Sequence, residues 1–454
     1  MNIKSKISIV KTEGANYLFP FILVTSLFFL WGFAHSLLDI LNKHFQDILH
    51  VSKAESGLIQ ASVYGGYFLM AIPAGMFMKK FGYKKGIIFG LLLYAFGSFL
   101  FYPAVHIKAF WAFLTALFVI ALGLTCLETA ANPYSSVLGP KETSAQRLTL
   151  SQSFNGLGWI LGPLVGSLII FGNPGESGDQ FSSLAIPYVA IGFVVLLIAI
   201  VFFVTKLPEI NEAQIEHVEY TEAEEKNEKT AYKTLFHYRH FILAVVAQFC
   251  YVAAQTGINS FFINYTFDMF KMAEIQHVTG KGFLDGILAL VSDGNAITEE
   301  TYKTASGLIL AIGGMGLFTA GRFIGSALMG WLKANVLLTW FALLSMVLTL
   351  IVIFEIGAIS IIALCLIYLF MSIMFPTIFA LGLKDLGSHT KRASSFLVMA
   401  IVGGAIFPAL MGYIADKSSM SIGFIVPFLC FAVVFYYGFA GYKIKHKALS
   451  EKEL

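Results

Sequence analysis

The stretch AFWAFLTALFVIALGLTCLETAANPYSSVLGP, residues 109–140, carries a single charged side chain, Glu128, between Lys108 and Lys141. A membrane-crossing helix needs about 20 predominantly apolar residues, and this run exceeds that. Glu128 lies 19 residues past its start, well inside the apolar zone. Asn132 follows one turn later on the same helix face. A charged side chain at such a depth costs about 2.5–3.5 kcal/mol even on insertion scales. Two readings are open. Glu128 is a structural carboxyl bonded to a neighbouring helix, or it takes up and releases a proton as its surroundings open to water. Burial disfavours the ionised form, and intramembrane acids commonly mark transport pathways. The second reading is the one adopted.

The rest of the chain supports a membrane setting. Of 454 residues, 57% are hydrophobic and 13% are charged, against about 45–50% and about 25% in soluble domains. Mean hydropathy is +0.77. A soluble enzyme, a nucleic-acid binder and a disordered scaffold are excluded. Twelve apolar blocks long enough to span can be marked: 17–41, 56–78, 86–105, 109–131, 147–172, 184–205, 241–268, 304–330, 335–354, 357–381, 392–416 and 421–441. Lipid offers no partner to open backbone groups, so these are helices. The alternation of a barrel strand is missing from them. The first block is too long for a signal-peptide core. With the N-terminus in the cytoplasm, 23 of the 30 lysines and arginines fall on the cytoplasmic side and 7 opposite. That bias predicts two cytoplasmic termini.

Landmarks repeat at half the chain length. Pro133-Tyr134-Ser135-Ser136-Val137-Leu138-Gly139 is echoed 243 residues later by Pro376-Thr377-Ile378-Phe379-Ala380-Leu381-Gly382. Arg147 precedes Pro163 by 16 residues, as Arg392 precedes Pro408. Two pseudo-symmetric six-helix bundles in parallel orientation are expected, related by an axis along the membrane normal. They would cover 1–205 and 241–454, joined by a mixed-charge cytoplasmic linker at 206–240. Such bundles can rock about a site at their interface. Glycines 156, 158, 162 and 166, and 313, 314, 316 and 321, allow helices to approach closely, which ordinary tight packing also explains. A second long loop, 270–303, is expected on the outer side, with room for short helices.

Several polar residues lie where lipid forbids them. Asp39 falls near the outer end of the first block, where an interfacial role is as good an explanation as a transport role. Gln152 and Asn155 are one turn apart in the fifth block, and Gln248, Gln255 and Asn259 form one stripe of the seventh. Carboxamides both donate and accept hydrogen bonds, which suits an uncharged polyhydroxylated ligand. Trp31 and Tyr251 can stack on a sugar ring, although lipid contact or packing accounts for most aromatics here. Arg322 and the cluster Lys79, Lys80, Lys84 and Lys85 read as structural, the cluster as an inner-face anchor. Cys126, Cys250, Cys365 and Cys430 read as small hydrophobes. No phosphate-cradling Gly-Lys-Ser/Thr loop and no His/Cys metal spacing occur.

At these residues the chain resembles the fucose:proton symporter family of the major facilitator superfamily, which includes glucose/galactose and N-acetylglucosamine carriers. The matching stretches are Phe28-Phe29-Leu30-Trp31-Gly32 with Asp39, Leu127-Glu128-Thr129-Ala130-Ala131-Asn132-Pro133-Tyr134, and Gln152-Ser153-Phe154-Asn155. Ala247-Gln248-Phe249-Cys250-Tyr251 with Gln255, and Met371-Ser372-Ile373-Met374-Phe375-Pro376, extend the likeness into the second half. The resemblance implies the major facilitator fold, with Glu128 as the main proton-carrying carboxyl and Asp39 coupling substrate recognition to protonation. It also implies that Gln152 and Asn155 face a sugar cavity, and that the basic cluster belongs to a gating loop.

Departures fall among the sugar contacts. Fucose carriers look asparagine-rich before the first-span aspartate, where this chain reads His35-Ser36-Leu37-Leu38-Asp39. Asn259 stands where such a carrier has tryptophan, and Phe375 where it has tyrosine. His35 reads as a neutral packed histidine. The expectation is a proton symporter importing a fucose-, galactose- or glucose-like monosaccharide by alternating access. Its substrate contacts would be Gln152, Asn155, Asn132, Gln255, Asn259, Trp31, Ser36 and Phe375. An uncoupled sugar facilitator and an N-acetylhexosamine carrier of the same fold are the alternatives. Neither cofactor nor metal is expected, the proton gradient being the driving force. A monomer in a bacterial inner membrane is expected, with the lipid bilayer, a monosaccharide and H⁺ as its partners.

Overall fold

Proline, glycine and charge punctuate a chain of otherwise continuous apolar helix. The structure, a computed structural model, describes residues 9–12, 15–49, 53–170, 182–205, 207, 235–275, 279–292, 296–386 and 389–444. Among them twelve helical passages follow one another. The first six are α1 Leu18–Leu49, α2 Lys53–Phe81, α3 Tyr83–Ile107, α4 Phe110–Val137, α5 Ser144–Ile170 and α6 Ser182–Val204. The others are α7 Arg239–Ile275, α8 Thr301–Leu328, α9 Ala334–Ile353, α10 Ala358–Gly382, α11 Thr390–Lys417 and α12 Met420–Gly441. All twelve expected blocks coincide with these helices, with ends displaced by a few residues. Eight are both long and apolar enough to cross a membrane, judged over the described residues. A two-residue hairpin, β1 Lys11–Thr12 against β2 Ala15–Asn16, precedes α1 and was not foreseen. Most of the 206–240 linker lies outside the described residues. The 270–303 loop holds a helix, Lys281–Ser292.

The repeat is visible in the packing. In the first half α1 lies on α5, α3 on α4 and α6, and α2 on α4. Six helices later α7 lies on α11, α9 on α10 and α12, and α8 on α10. The seams between the halves obey the same shift, since α2 meets α11 and α8 meets α5.

The repeated prolines explain part of this arrangement. A proline inside a helix has no N–H for the carbonyl four residues earlier. Pro133 in α4 thereby frees the Thr129 carbonyl, and Pro376 in α10 frees that of Ser372. Ser394 of α11 donates its hydroxyl to the Thr129 oxygen at 3.3 Å. Arg322 of α8 donates Nε–H to the Ser372 oxygen, also at 3.3 Å. The α10 helix is interrupted between Met371 and Met374, which opens that carbonyl sideways.

Arg147 has a structural task. Helix ends leave carbonyls without intrahelical partners, and its buried guanidinium gathers those at the end of α4. It donates to the oxygens of Ser135 at 3.1 Å, Pro140 at 2.8 Å and Gly139 at 3.3 Å, and also to Ser136. It reaches the Ile9 carbonyl beside the hairpin at 3.0 Å. Arg147→Ala is expected to lower stability by about 2 kcal/mol or more, because buried carbonyls lose charged donors. Arg147→Lys should restore only part of it, having no planar fork. Thermal unfolding of the purified protein checks this, and a wild-type midpoint in the alanine variant would contradict it.

Candidate functional site

Two glycines bring α1 and α5 together. A Cβ at Gly32 would collide with the main chain of Asn155, and one at Gly158 with the main chain of Phe29 and Phe33. With no side chains between them, the helices meet backbone to backbone. Asn155 uses this closeness to donate Nδ2–H to the Phe28 carbonyl at 3.2 Å. Trp31, one helical turn beyond Phe28 and 5.6 Å from its ring, is buried on the same side.

From Trp31 a line of polar groups crosses the molecule. Trp31, the Tyr67 hydroxyl of α2 and the Glu128 carboxyl of α4 are near neighbours in this interior. Glu128 is 1% exposed. Its second oxygen, Oε2, has no protein partner, nor has Asn132 Nδ2 or Thr129 Oγ1. Asn132 Oδ1 accepts from Gln152 Nε2 at 3.3 Å. The Gln152 carbonyl accepts from Arg322 Nη1 at 2.5 Å, and the same nitrogen reaches Asn155 Oδ1 at 3.1 Å. The guanidinium lies 4.4 Å from the Phe318 ring centroid, an arrangement that favours a cation over an aromatic face.

Thus Trp31, Glu128, Asn132, Gln152 and Asn155 come together as expected. An acceptor at Glu128 Oε2 and a donor at Asn132 Nδ2, both buried and without protein partners, suit hydroxyl groups, which do both. Leaving such groups unmatched costs about 1–3 kcal/mol each.

The second half presents a different wall. Gln248 is fully buried and neither of its amide atoms has a protein partner; the Tyr251 hydroxyl is likewise unmatched. Phe375 packs edge-on to Tyr251 at 6.3 Å and stacks with Phe379 at 6.1 Å. Gln255 is half-buried. Asn259 already accepts from the Tyr368 hydroxyl at 3.1 Å, so its amide oxygen is engaged within the second half. Ser36, Asp39 and His35 lie on α1, with side chains outside the described residues.

Two residues at the centre were not singled out as candidate site residues. Tyr67 gave no signal, since one tyrosine in an apolar run looks like any other. Arg322 did give one: a cation inside a span merits the same suspicion as Glu128. Read as structural, it ties α8 to α5 by bonding the Gln152 main-chain carbonyl and the Asn155 amide oxygen. Among the described residues no group of three or more His, Cys, Asp or Glu side chains could hold a metal.

The halves touch at one end of the helices. Ser326 donates to the Gln146 carbonyl at 3.2 Å, Thr149 reaches Met329 Sδ at 3.7 Å, and Lys391 sits 4.7 Å from the Tyr83 ring. A Cβ at Gly156 would come within 2.9 Å of Thr319 Oγ1 across the α5–α8 seam. These contacts close the molecule on the face that carries the 137–144, 328–334 and 382–390 turns.

Comparison with known proteins places this geometry. Residues 22–407 match the family profile of the Major Facilitator Superfamily. The L-fucose-proton symporter of Escherichia coli (strain K12) is 40% identical over 441 residues, spanning 93% of both chains. The glucose/galactose transporter of Brucella abortus biovar 1 is 35% identical over 430 residues, spanning 94% of this chain and 95% of its own. The crystal structure of FucP, a Major Facilitator Superfamily transporter, in the outward conformation aligns with a TM-score of 0.77. It is 39% identical and covers 93% of this chain and 98% of its own.

Gly156→Val adds bulk where a single Cβ is already crowded, so it should part the α5–α8 seam without deleting a polar side chain. A cysteine placed at Ser326 should then label several-fold faster with a water-soluble maleimide than in the otherwise unaltered chain. Equal labelling rates would contradict the closure described.

Proposed function

The chain belongs to the major facilitator superfamily, and on that premise we propose that it imports a monosaccharide together with a proton. It is a membrane transporter and not an enzyme. The observation that carries the reading is that Glu128 Oε2 and Asn132 Nδ2, one helical turn apart in α4, are both buried polar atoms without protein partners. One is a site for a proton and both are sites for sugar hydroxyls. The names of the relatives, an L-fucose-proton symporter and glucose/galactose transporters, support the same cargo class.

In this reading Glu128 carries the proton, and Asp39 couples its release to sugar binding. Gln152, Asn155, Asn132 and Trp31 hold the sugar from the first half. Gln255, Phe375 and, once Tyr368 lets it go, Asn259 hold it from the second, with Ser36 beside Asp39. The halves 1–205 and 241–454 rock about this site, linked by 206–240. The face closed by the α5–α8 and α2–α11 seams is the cytoplasmic one, and both termini lie there. Likeness to a transporter solved in the outward conformation supports that assignment. The protein works as a monomer in a bacterial inner membrane, driven by the proton gradient and needing no cofactor.

Coupling follows from the cost of burial. When the cavity shuts, a charged Glu128 loses water, and several kcal/mol of desolvation oppose the step. A neutral Glu128 escapes that penalty. Sugar and proton therefore cross together or the carrier waits. Glu128→Gln mimics the neutral state permanently. It is expected to keep sugar counterflow in proteoliposomes while abolishing accumulation against a gradient under an imposed pH difference. Uphill accumulation at the wild-type level would refute the role of Glu128, and accumulation by neither protein would point to an uncoupled facilitator.

A further inference from the structure

The closed face holds a cavity of about 350 Å³, a size usual for small-molecule sites, and both halves line it. Lys141 and Glu142, between α4 and α5, belong to the wall from the first half. Lys333 before α9, Lys384 and Asp385 after α10, and Tyr442 at the end of α12 belong to the wall from the second. Each wall is fixed to its own half. Arg147 gathers the carbonyls of Gly139 and Pro140 just ahead of Lys141, and His240 Nε2–H of α7 donates to the Lys384 carbonyl at 2.9 Å. Three lysines against two acidic residues leave the lining net positive. The lysines are exposed, so water keeps them charged, and a doubly negative phosphate there meets cations from both halves. The carboxylates only accept hydrogen bonds; they repel a bare anion but take hydroxyl hydrogens. A ligand carrying phosphate and hydroxyl groups satisfies the whole lining, whereas an inorganic anion or a neutral sugar satisfies only part of it.

We propose that this cavity takes from the cytoplasm a phosphate ester bearing hydroxyl groups, a sugar phosphate, and that its binding holds the carrier shut on that side. This rests on the reading of the protein as a sugar carrier whose closed face is cytoplasmic. The two walls stay together only while the α5–α8 and α2–α11 seams are closed, so the ester binds one state and not the other. A ligand that prefers one of two states shifts the equilibrium by its differential affinity. At ten times its Kd for the closed state, opening inward becomes about tenfold less favourable. External sugar uses the central site, so the ester slows turnover without competing for that site. Reciprocity makes the shut carrier hold external sugar more tightly. A kinase acting on the imported sugar makes an ester of this class, and uptake slows as that product accumulates.

Thermal unfolding of the purified full-length protein reads binding without transport. The probes are fucose 1-phosphate, galactose 1-phosphate, glucose 6-phosphate and inorganic phosphate. At least one ester should raise the midpoint by a few degrees, and inorganic phosphate by less. Lys141→Gln in one wall, and Lys333→Gln with Lys384→Gln in the other, should each abolish the shift at an unchanged ligand-free midpoint. Gly156→Val, which alters no lining residue, should abolish it too by parting the seam. In right-side-out proteoliposomes loaded with the same ester, wild-type uptake of labelled sugar should fall about tenfold at ten times the Kd, with a lower half-saturation concentration. Uptake by the lysine variants should not respond. No midpoint shift with any ester would overturn the proposal. So would an equal shift in the lysine variants, an equal shift with inorganic phosphate, or a raised half-saturation concentration. Vesicles of phosphatidylcholine with and without phosphatidylglycerol separate the two sources of such a group. Slowing by phosphatidylglycerol alone, lost in the lysine variants, would assign the cavity to a lipid headgroup instead of a soluble ester. If unloaded wild-type protein moves no labelled sugar, the carrier reading fails, while the midpoint shift still decides whether the cavity binds the ester.

Discussion

A carboxyl inside a membrane-spanning helix sets the terms for everything packed around it. Glu128 is almost wholly shielded, and among the described residues no cation pairs with it. Its polar neighbours are neutral groups, the Tyr67 hydroxyl and the amide of Asn132 one turn on. A salt bridge would have fixed the carboxyl in its charged form and tied it to one partner. Neutral donors leave its charge to be decided by access to water. In the proposed mechanism the open or closed state of the cavity is thus written into the protonation of one side chain, which is what coupling two fluxes requires.

The surrounding fold serves to bring that side chain within reach of a moving seam. Asn132, one turn from Glu128, is bonded to Gln152 of α5, whose carbonyl is bonded to Arg322 of α8. Arg322 in turn takes the Ser372 carbonyl that Pro376 leaves free in α10. The polar line therefore runs from Asn132, beside Glu128, across the interface into the interrupted helix of the other half. Any separation of α5 from α8 must break the Arg322 bonds to Gln152 and Asn155. That in turn frees the Asn155 amide oxygen and the Gln152 main-chain carbonyl. Glycines keep these helices close enough for the line to exist, at Gly32 and Gly158 within the first half and at Gly156 on the seam.

Much of this was legible before any coordinates. The apolar blocks define the twelve helices because lipid leaves the backbone no alternative, and the displaced prolines revealed the two halves. Glu128, Asn132, Gln152 and Asn155 stood out because polar groups in spans are rare. Local pattern does not show which distant helix a side chain will meet. Tyr67 was invisible for that reason, one of 19 tyrosines with nothing to mark it. Arg322 was visible as a buried cation, but its purpose depends on α5, more than 160 residues away in sequence. Asn259 shows the opposite limit: its place on an amide stripe is right, yet Tyr368 occupies its oxygen.

The central claim is that sugar and proton pass through one shared site. The most direct measurement is the internal pH of proteoliposomes holding the wild-type protein. Fucose, galactose, glucose, mannose, N-acetylglucosamine and rhamnose are added outside in turn, without an imposed gradient. The account predicts that at least one of these sugars acidifies the lumen as it enters, and that a protonophore abolishes the change. Entry of labelled sugar with no change in pH for any of them would contradict it.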